Sequence, residues 1–193
     1  FVAKHLRMVA KLDAFIDQPN NTLSKYKKND ASVPARYARA IALYRKANLS
    51  KALSNIESLM SDFPRDPYFI ELKAQMFFEN GRLADAMKSY QRAIILLPDA
   101  PLIRAKLAHV ILEMNRAELN DLALKHVKYA IRIDRFMPKA WYLAGQVYGR
   151  KKQFGRSAWA LAEYNILLNR KRLALAHAMR ALKLLKVGSP AWL

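Results

Sequence analysis

The sequence predicts an all-α solenoid of about four helix–turn–helix repeats, with an extra N-terminal helix and C-terminal capping helices. Three observations predict it. Prolines fall at Pro34, Pro67, Pro101 and Pro138, spaced 33, 34 and 37 residues. Small residues recur in the same register at Ala40, Ala74, Ala108 and Gly145, and a second small series follows at Ala52, Ala86 and Ala123. The composition agrees: 53% hydrophobic residues suffice for a packed core, and only 5 Gly argue against sandwiches and barrels with their Gly-rich turns.

The elements follow in order. Val2–Ile16 reads as an amphipathic helix with Leu6, Val9, Leu12 and Ile16 on one side, expected to pack on the first repeat. Pro19-Asn20-Asn21 reads as a break, and residues 22–26 as a short helical turn, so residues 1–32 form an N-terminal linker segment. Repeats are expected near 33–66, 67–100, 101–137 and 138–170, followed by a capping helix over 171–186 and a tail over 187–193. The second repeat shows the logic. Pro67 opens a helix whose Phe69, Leu72, Met76 and Phe77 share one face, and Asn80-Gly81 stops it. A second helix then carries Leu83, Ala86, Met87, Tyr90, Ala93, Ile94 and Leu97, and Pro98 closes it. The third repeat holds three additional residues, placed near Asn115–Asn120 where a loop absorbs them.

Catalytic chemistry finds little support. The absence of Cys removes disulfides, thiolate metal sites and thiol nucleophiles. His5, His109, His126 and His177 stand alone, with no HExxH spacing and no helical metal pair, and no phosphate-binding Gly motif or Ser nucleophile elbow occurs. The scattered carboxylates read as caps and solvated faces. No catalytic residue, metal ligand or cofactor is therefore expected within these 193 residues. No apolar run approaches the ~18 residues a membrane span requires. The opening residue is Phe1 rather than Met, which points to a piece of a longer protein.

The repeat pattern resembles the tetratricopeptide repeat (TPR), a 34-residue helix–turn–helix unit with small residues near positions 8, 20 and 27 and Pro at 32. Pro64 and Pro98 hold that last position, whereas Arg135 replaces it in the third repeat. Trp141, Gly145 and Tyr148 stand in the fourth repeat where the family prefers Trp, Gly and Tyr. The resemblance covers about residues 33–186 and implies a concave groove lined by the first helix of each repeat. On that grid the peptide-binding residues are Tyr37, Ile41 and Tyr44, then Tyr68, Gln75 and Phe78, then Leu102, His109 and Leu112, and finally Tyr142 and Gln146. Exposed aromatics suit protein or peptide segments, because they bury much area at low entropic cost. The alternative is that the N-terminal helix or a neighbouring domain covers part of this face. A Lys/Asn clamp for a C-terminal carboxylate is disfavoured, since Tyr37 and Ile41 occupy its positions.

Lys and Arg number 34 against 15 acidic residues, a formal charge of +19. Residues 1–46 carry ten cations against three Asp, residues 47–149 fourteen against eleven acids, and residues 150–186 ten against Glu163 alone. Arg150-Lys151-Lys152 and Arg170-Lys171-Arg172 both fall at inter-helix turns and are expected to form one basic edge. Such an edge reads as solvated surface, or as a contact for an acidic protein or anionic membrane. Nucleic acid is the weakest of these readings, because stacking aromatics are not interleaved with the cations.

One further resemblance is more specific. Residues 34–44 (PARYARAIALY), 66–75 (DPYFIELKAQ), 78–82 (FENGR), 98–104 (PDAPLIR) and 188–193 (GSPAWL) together look like the C-terminal TPR region of BepA-like bacterial zinc metallopeptidases. His5, Arg7, Met8, Ala10, Lys11 and Leu12 resemble the segment that links the protease to its repeats. The resemblance implies a parent with an HExxH domain and its zinc upstream of Phe1, located in the periplasm or at the inner membrane. The repeat region would then recruit or orient substrates, gate the protease or dock on its own protease domain; the alternative is a stand-alone TPR adaptor that binds peptide segments.

Overall fold

The computed structural model describes residues 2–188. Phe1 and residues 189–193, which hold most of the expected tail and the final run of the protease resemblance, lie outside the described residues. Among the described residues there are eleven α-helices, one 3-10 turn and no strand. The chain divides into two compact units between Leu96 and Leu97.

The first unit holds α1 (Val2–Ile16), α2 (Pro19–Lys25), α3 (Val33–Arg45), α4 (Leu49–Asp62), α5 (Pro67–Glu79) and α6 (Leu83–Leu96). Helix starts are well signalled. Ser32 Oγ accepts from Ala35 N, Asn48 Oδ1 from Lys51 N, and Asp66 Oδ1 from Tyr68 N, each satisfying a donor that the first helical turn leaves free. Pro19 starts α2 rather than breaking the chain, because a first-turn proline needs no N–H partner. The core gathers Ala10, Ala14, Tyr37, Ala38, Ala40, Ile41, Ala52, Ile56, Leu59, Phe69, Leu72 and Met76.

α1 packs on α3, yet not by the face its leucines suggest. Ala10 and Ala14 are fully buried, whereas Leu6, Leu12 and Ile16 are 50%, 51% and 75% exposed. Small side chains let the two helix backbones approach, and the larger residues turn outward. Polar ties hold the segment in place: Arg45 Nη1 donates to Ala14 O, while Lys25 Nζ and the Tyr26 hydroxyl both donate to Asp13 Oδ2. These two donors hold the Asp13 carboxyl below its ordinary range, and burial together with Asp13 pushes the Tyr26 hydroxyl up to about 12.

The second unit holds α7 (Pro101–Glu113), a 3-10 turn at Ala117–Leu119, α8 (Asn120–Ile133), α9 (Pro138–Arg150), α10 (Phe154–Leu167) and α11 (Lys171–Leu184). The 3-10 turn sits where the sequence places the additional residues of the third repeat. Gly145 makes a close approach: a Cβ there would lie 2.8 Å from Leu161 Cδ2 and force that side chain to shift, and the Gly145 carbonyl accepts from Ser157 Oγ. Trp141 packs edge-on against Trp159, centroids 5.1 Å apart, and its Nε1 donates to Arg135 O.

The turns within the four helix pairs share one backbone solution. Ala47, Gly81, Asn115 and Lys152, spaced 34, 34 and 37, all have positive φ, between 52° and 74°. At three of them a Schellman pair closes the preceding helix, as in Arg82 N to Phe77 O and Gly81 N to Phe78 O, with equivalents at Asn48/Ala47 and Gln153/Lys152. Glycine occupies this left-handed position once only.

Candidate peptide-binding surface

In the first unit the N-terminal helix decides which predicted groove residues remain accessible. Tyr37 and Ile41 are 1% and 0% exposed. They belong to the core beneath α1 and offer almost no surface to a partner in this conformation. Tyr37 packs its ring edge-on to Phe69 at 5.1 Å, and its buried hydroxyl has no hydrogen-bond partner. Burial, then the nearby Glu71 carboxylate, raises this phenol far above its ordinary value.

Tyr68 is 42% exposed and lies beside Arg7, whose guanidinium stands 5.3 Å from the Tyr68 and Phe69 ring centroids and pairs with Asp66. Lys11 Nζ lies 3.8 Å from the buried Glu71 carboxylate. Lys4, Arg7, Met8, Lys11, Tyr37 and Tyr68 surround a cavity of about 220 Å³. This cavity is what α1 leaves open of the first two repeats' inner face.

Tyr44, Gln75 and Glu79 form a connected set. Glu79 accepts from the Tyr44 hydroxyl through one carboxylate oxygen and from Gln75 Nε2, at 2.8 Å, through the other. Burial and Glu79 together push the Tyr44 phenol up. Phe78 is half-buried on the same helix. The sequence grid places Tyr44, Gln75 and Phe78 on this surface but does not anticipate Glu79, whose role depends on a contact across 35 residues.

In the second unit, Leu102 is 54% exposed, whereas Leu112 is buried. His109 Nε2 lies 3.5 Å from Glu113 Oε1. Burial, then Lys139, lowers its pKa, while Glu113 opposes them. Gln146 Nε2 donates to the Tyr142 hydroxyl at 3.2 Å, Tyr142 packs on Tyr164 at 5.3 Å, and Lys139 Nζ stands 5.3 Å from the Tyr142 ring. Half-buried Tyr142 and Gln146 thus present a supported aromatic–amide pair.

The two basic triplets do not form one edge. Arg150-Lys151-Lys152 precedes α10 and Arg170-Lys171-Arg172 follows it, so a 14-residue helix, ~21 Å long, separates them. Successive inter-helix turns alternate ends, which sequence proximity conceals. Two members of the first triplet also have structural tasks: Arg150 Nη1 donates to Leu112 O, closing the end of α7, and Lys151 pairs with Asp121. Lys152, Arg170, Lys171 and Arg172 are exposed. Among the described residues no group of three His, Cys, Asp or Glu could hold a metal, and no helix is long and apolar enough to cross a membrane.

The family model for the tetratricopeptide repeat matches residues 37–101. No curated protein matches the chain in sequence. Among solved structures, MamA from Desulfovibrio magneticus RS-1 (residues 41 to its end) is similar at TM-score 0.61 and 14% identity, over 87% of this chain and 93% of that one. YrrB, described as a TPR protein with an unusual peptide-binding site, is similar at TM-score 0.67 and 17% identity, over 89% of each chain. PilF of Pseudomonas aeruginosa is similar at TM-score 0.64 and 16% identity, over 100% of this chain and 97% of that one. The fold is therefore all-α and of the tetratricopeptide-repeat type, as the period predicts.

Proposed function

We propose that this tetratricopeptide-repeat chain is a non-catalytic adaptor that binds protein segments through the accessible first-helix residues of its repeats. The observation that carries this reading is the division of labour along those helices. Ala40, Ala74, Ala108 and Gly145 are buried in the packing, while Tyr44, Tyr68, Gln75, Phe78, Leu102, Tyr142 and Gln146 keep access to solvent. Amphipathic rings braced by amides and carboxylates suit an extended segment, because they are held in place before the partner arrives. YrrB's described peptide-binding site supports the same role.

A photoreactive benzoyl-phenylalanine replacing Tyr68, Leu102 or Tyr142, one at a time, tests it. Illumination in cells should yield protein adducts from these positions and few from exposed Lys88 on α6. Equal adduct yields at Lys88, or none at the three first-helix positions, would refute the reading.

A finer reading rests on the sequence runs at 34–44, 66–75, 78–82 and 98–104. It makes the chain the substrate-recruiting or gating region of a BepA-like zinc metalloprotease, acting in the periplasm or at the inner membrane, with its own protease domain as one partner. The seating of α1 over Tyr37 and Ile41 supports it, since that face is already closed within the same chain. The coding sequence upstream of Phe1 decides it: an HExxH helix sustains the reading and its absence removes it.

A further inference from the structure

A second cavity of the first unit lies beside α3, lined by no residue of α1. α2, the 26–32 linker, α3 and α4 form a half-open cavity of about 560 Å³, lined by Leu23, Lys28, Arg39, Leu43, Lys51, Ser54 and Asn55. That volume is in the range of sites that take a small ligand or a few side chains. Its chemistry is one-sided. Three of the seven lining residues are cations and none is an acid.

The three cations differ in their engagements. Arg39 is half-buried, and its Nη1 donates to the carbonyls of Lys27 and Asp30, at 2.6 and 2.8 Å, which pins the linker over the cavity. Asp30, the nearest acid along the linker, accepts from Ser32 N. Lys28 and Lys51 are exposed and stand at the rim. Half-buried Leu23 and Leu43 supply an apolar floor. Asn55 donates through Nδ2 to Lys51 O, which turns its Oδ1 into the acceptor on offer, beside the Ser54 hydroxyl.

We propose that this cavity binds an acidic–apolar peptide segment of a partner protein. An aspartate or glutamate meets Lys28 and Lys51, a neighbouring apolar side chain rests on Leu23 and Leu43, and Asn55 Oδ1 accepts a backbone N–H. The last element distinguishes a peptide from a bare carboxylate, because an ionised carboxylate has no donor for an amide oxygen. The site goes beyond the first-helix surface and shares no residue with it.

The full chain is titrated with a blocked, fluorescein-labelled heptapeptide carrying two glutamates beside a leucine. A sequence-matched peptide with glutamines in place of the glutamates, and free propionate, serve as controls. Methyl NMR follows Leu23 and Leu43. The acidic peptide should shift both leucines, and the glutamine peptide should bind at least about fivefold more weakly. Lys28→Gln with Lys51→Gln should cost a similar factor and flatten the salt dependence, while Tyr68→Ala leaves binding unchanged. Both lysines are exposed, so the double variant keeps its helicity, checked by circular dichroism. Equal binding of both peptides, an unaffected double variant, or leucine shifts reproduced in full by propionate would overturn the proposal. Loss of binding in Tyr68→Ala alone would assign the peptide to the first-helix surface instead and overturn it equally.

Discussion

Replacing Tyr37 by Phe should stabilise the protein. The Tyr37 ring is 1% exposed and packs against Phe69, so the substitution leaves its apolar contacts in place. Only the hydroxyl is lost, and that hydroxyl is buried with no partner. A buried unpaired hydroxyl forfeits its hydrogen bond to water, at about 1–3 kcal/mol. The oxygen's own dispersion contacts return only a few tenths of a kcal/mol. The net gain is about 1–2 kcal/mol, which raises the melting temperature of a protein of this size by about 2–8 °C. Thermal melts at 222 nm, with urea titrations to confirm an unchanged m-value, measure it. A lower melting temperature, or none gained, would show that the hydroxyl has a partner and that the account of this core is wrong.

Two other predictions concern stability. His126 is 6% exposed, and burial, then Arg104 and Lys125, pull its pKa down to about 4. Between roughly pH 6.5 and 4 the unfolded chain therefore holds a proton that the folded chain refuses, and stability falls with falling pH by on the order of 3 kcal/mol. His126→Gln should flatten that part of the urea-midpoint profile, and an unchanged slope would exclude His126 as its source. At Ala47 and Lys152 the left-handed φ costs about 1–2 kcal/mol, against about 0.5–1 kcal/mol for the unfolded-chain entropy of glycine. Ala47→Gly and Lys152→Gly should each gain about 0.5–1 kcal/mol in equilibrium denaturation, and a loss in both would show that the turn is not strained.

The helices were legible because their signals are local. Pro67, Asn80 and Gly81 sit next to the boundaries they create, and the 34-residue period marks each pair. What failed required a third dimension. The outward turn of Leu6, Leu12 and Ile16 follows from Ala10 and Ala14 meeting α3, and one-helix periodicity shows only that two faces differ. Pro19 is ambiguous in sequence, since the same residue ends one helix and begins another. The burial of Tyr37 and Ile41 came from α1, an element outside the repeat grid. The cavity at Lys28, Arg39 and Lys51 joins residues from the linker, α3 and α4, and no spacing rule connects them. Its one local hint was the Lys27-Lys28 pair beside a short helix.

The placement of the two basic triplets has an electrical consequence. The helix between them is ~21 Å long, more than twice the Debye length of ~8 Å at physiological ionic strength. Each triplet therefore gathers its own counterion cloud and scarcely senses the charge on the other. Reversing charge at Arg170-Lys171-Arg172 should leave the ion atmosphere around Lys152 as it was. An anionic surface meets two separate, locally screened contacts in this region rather than a single continuous field.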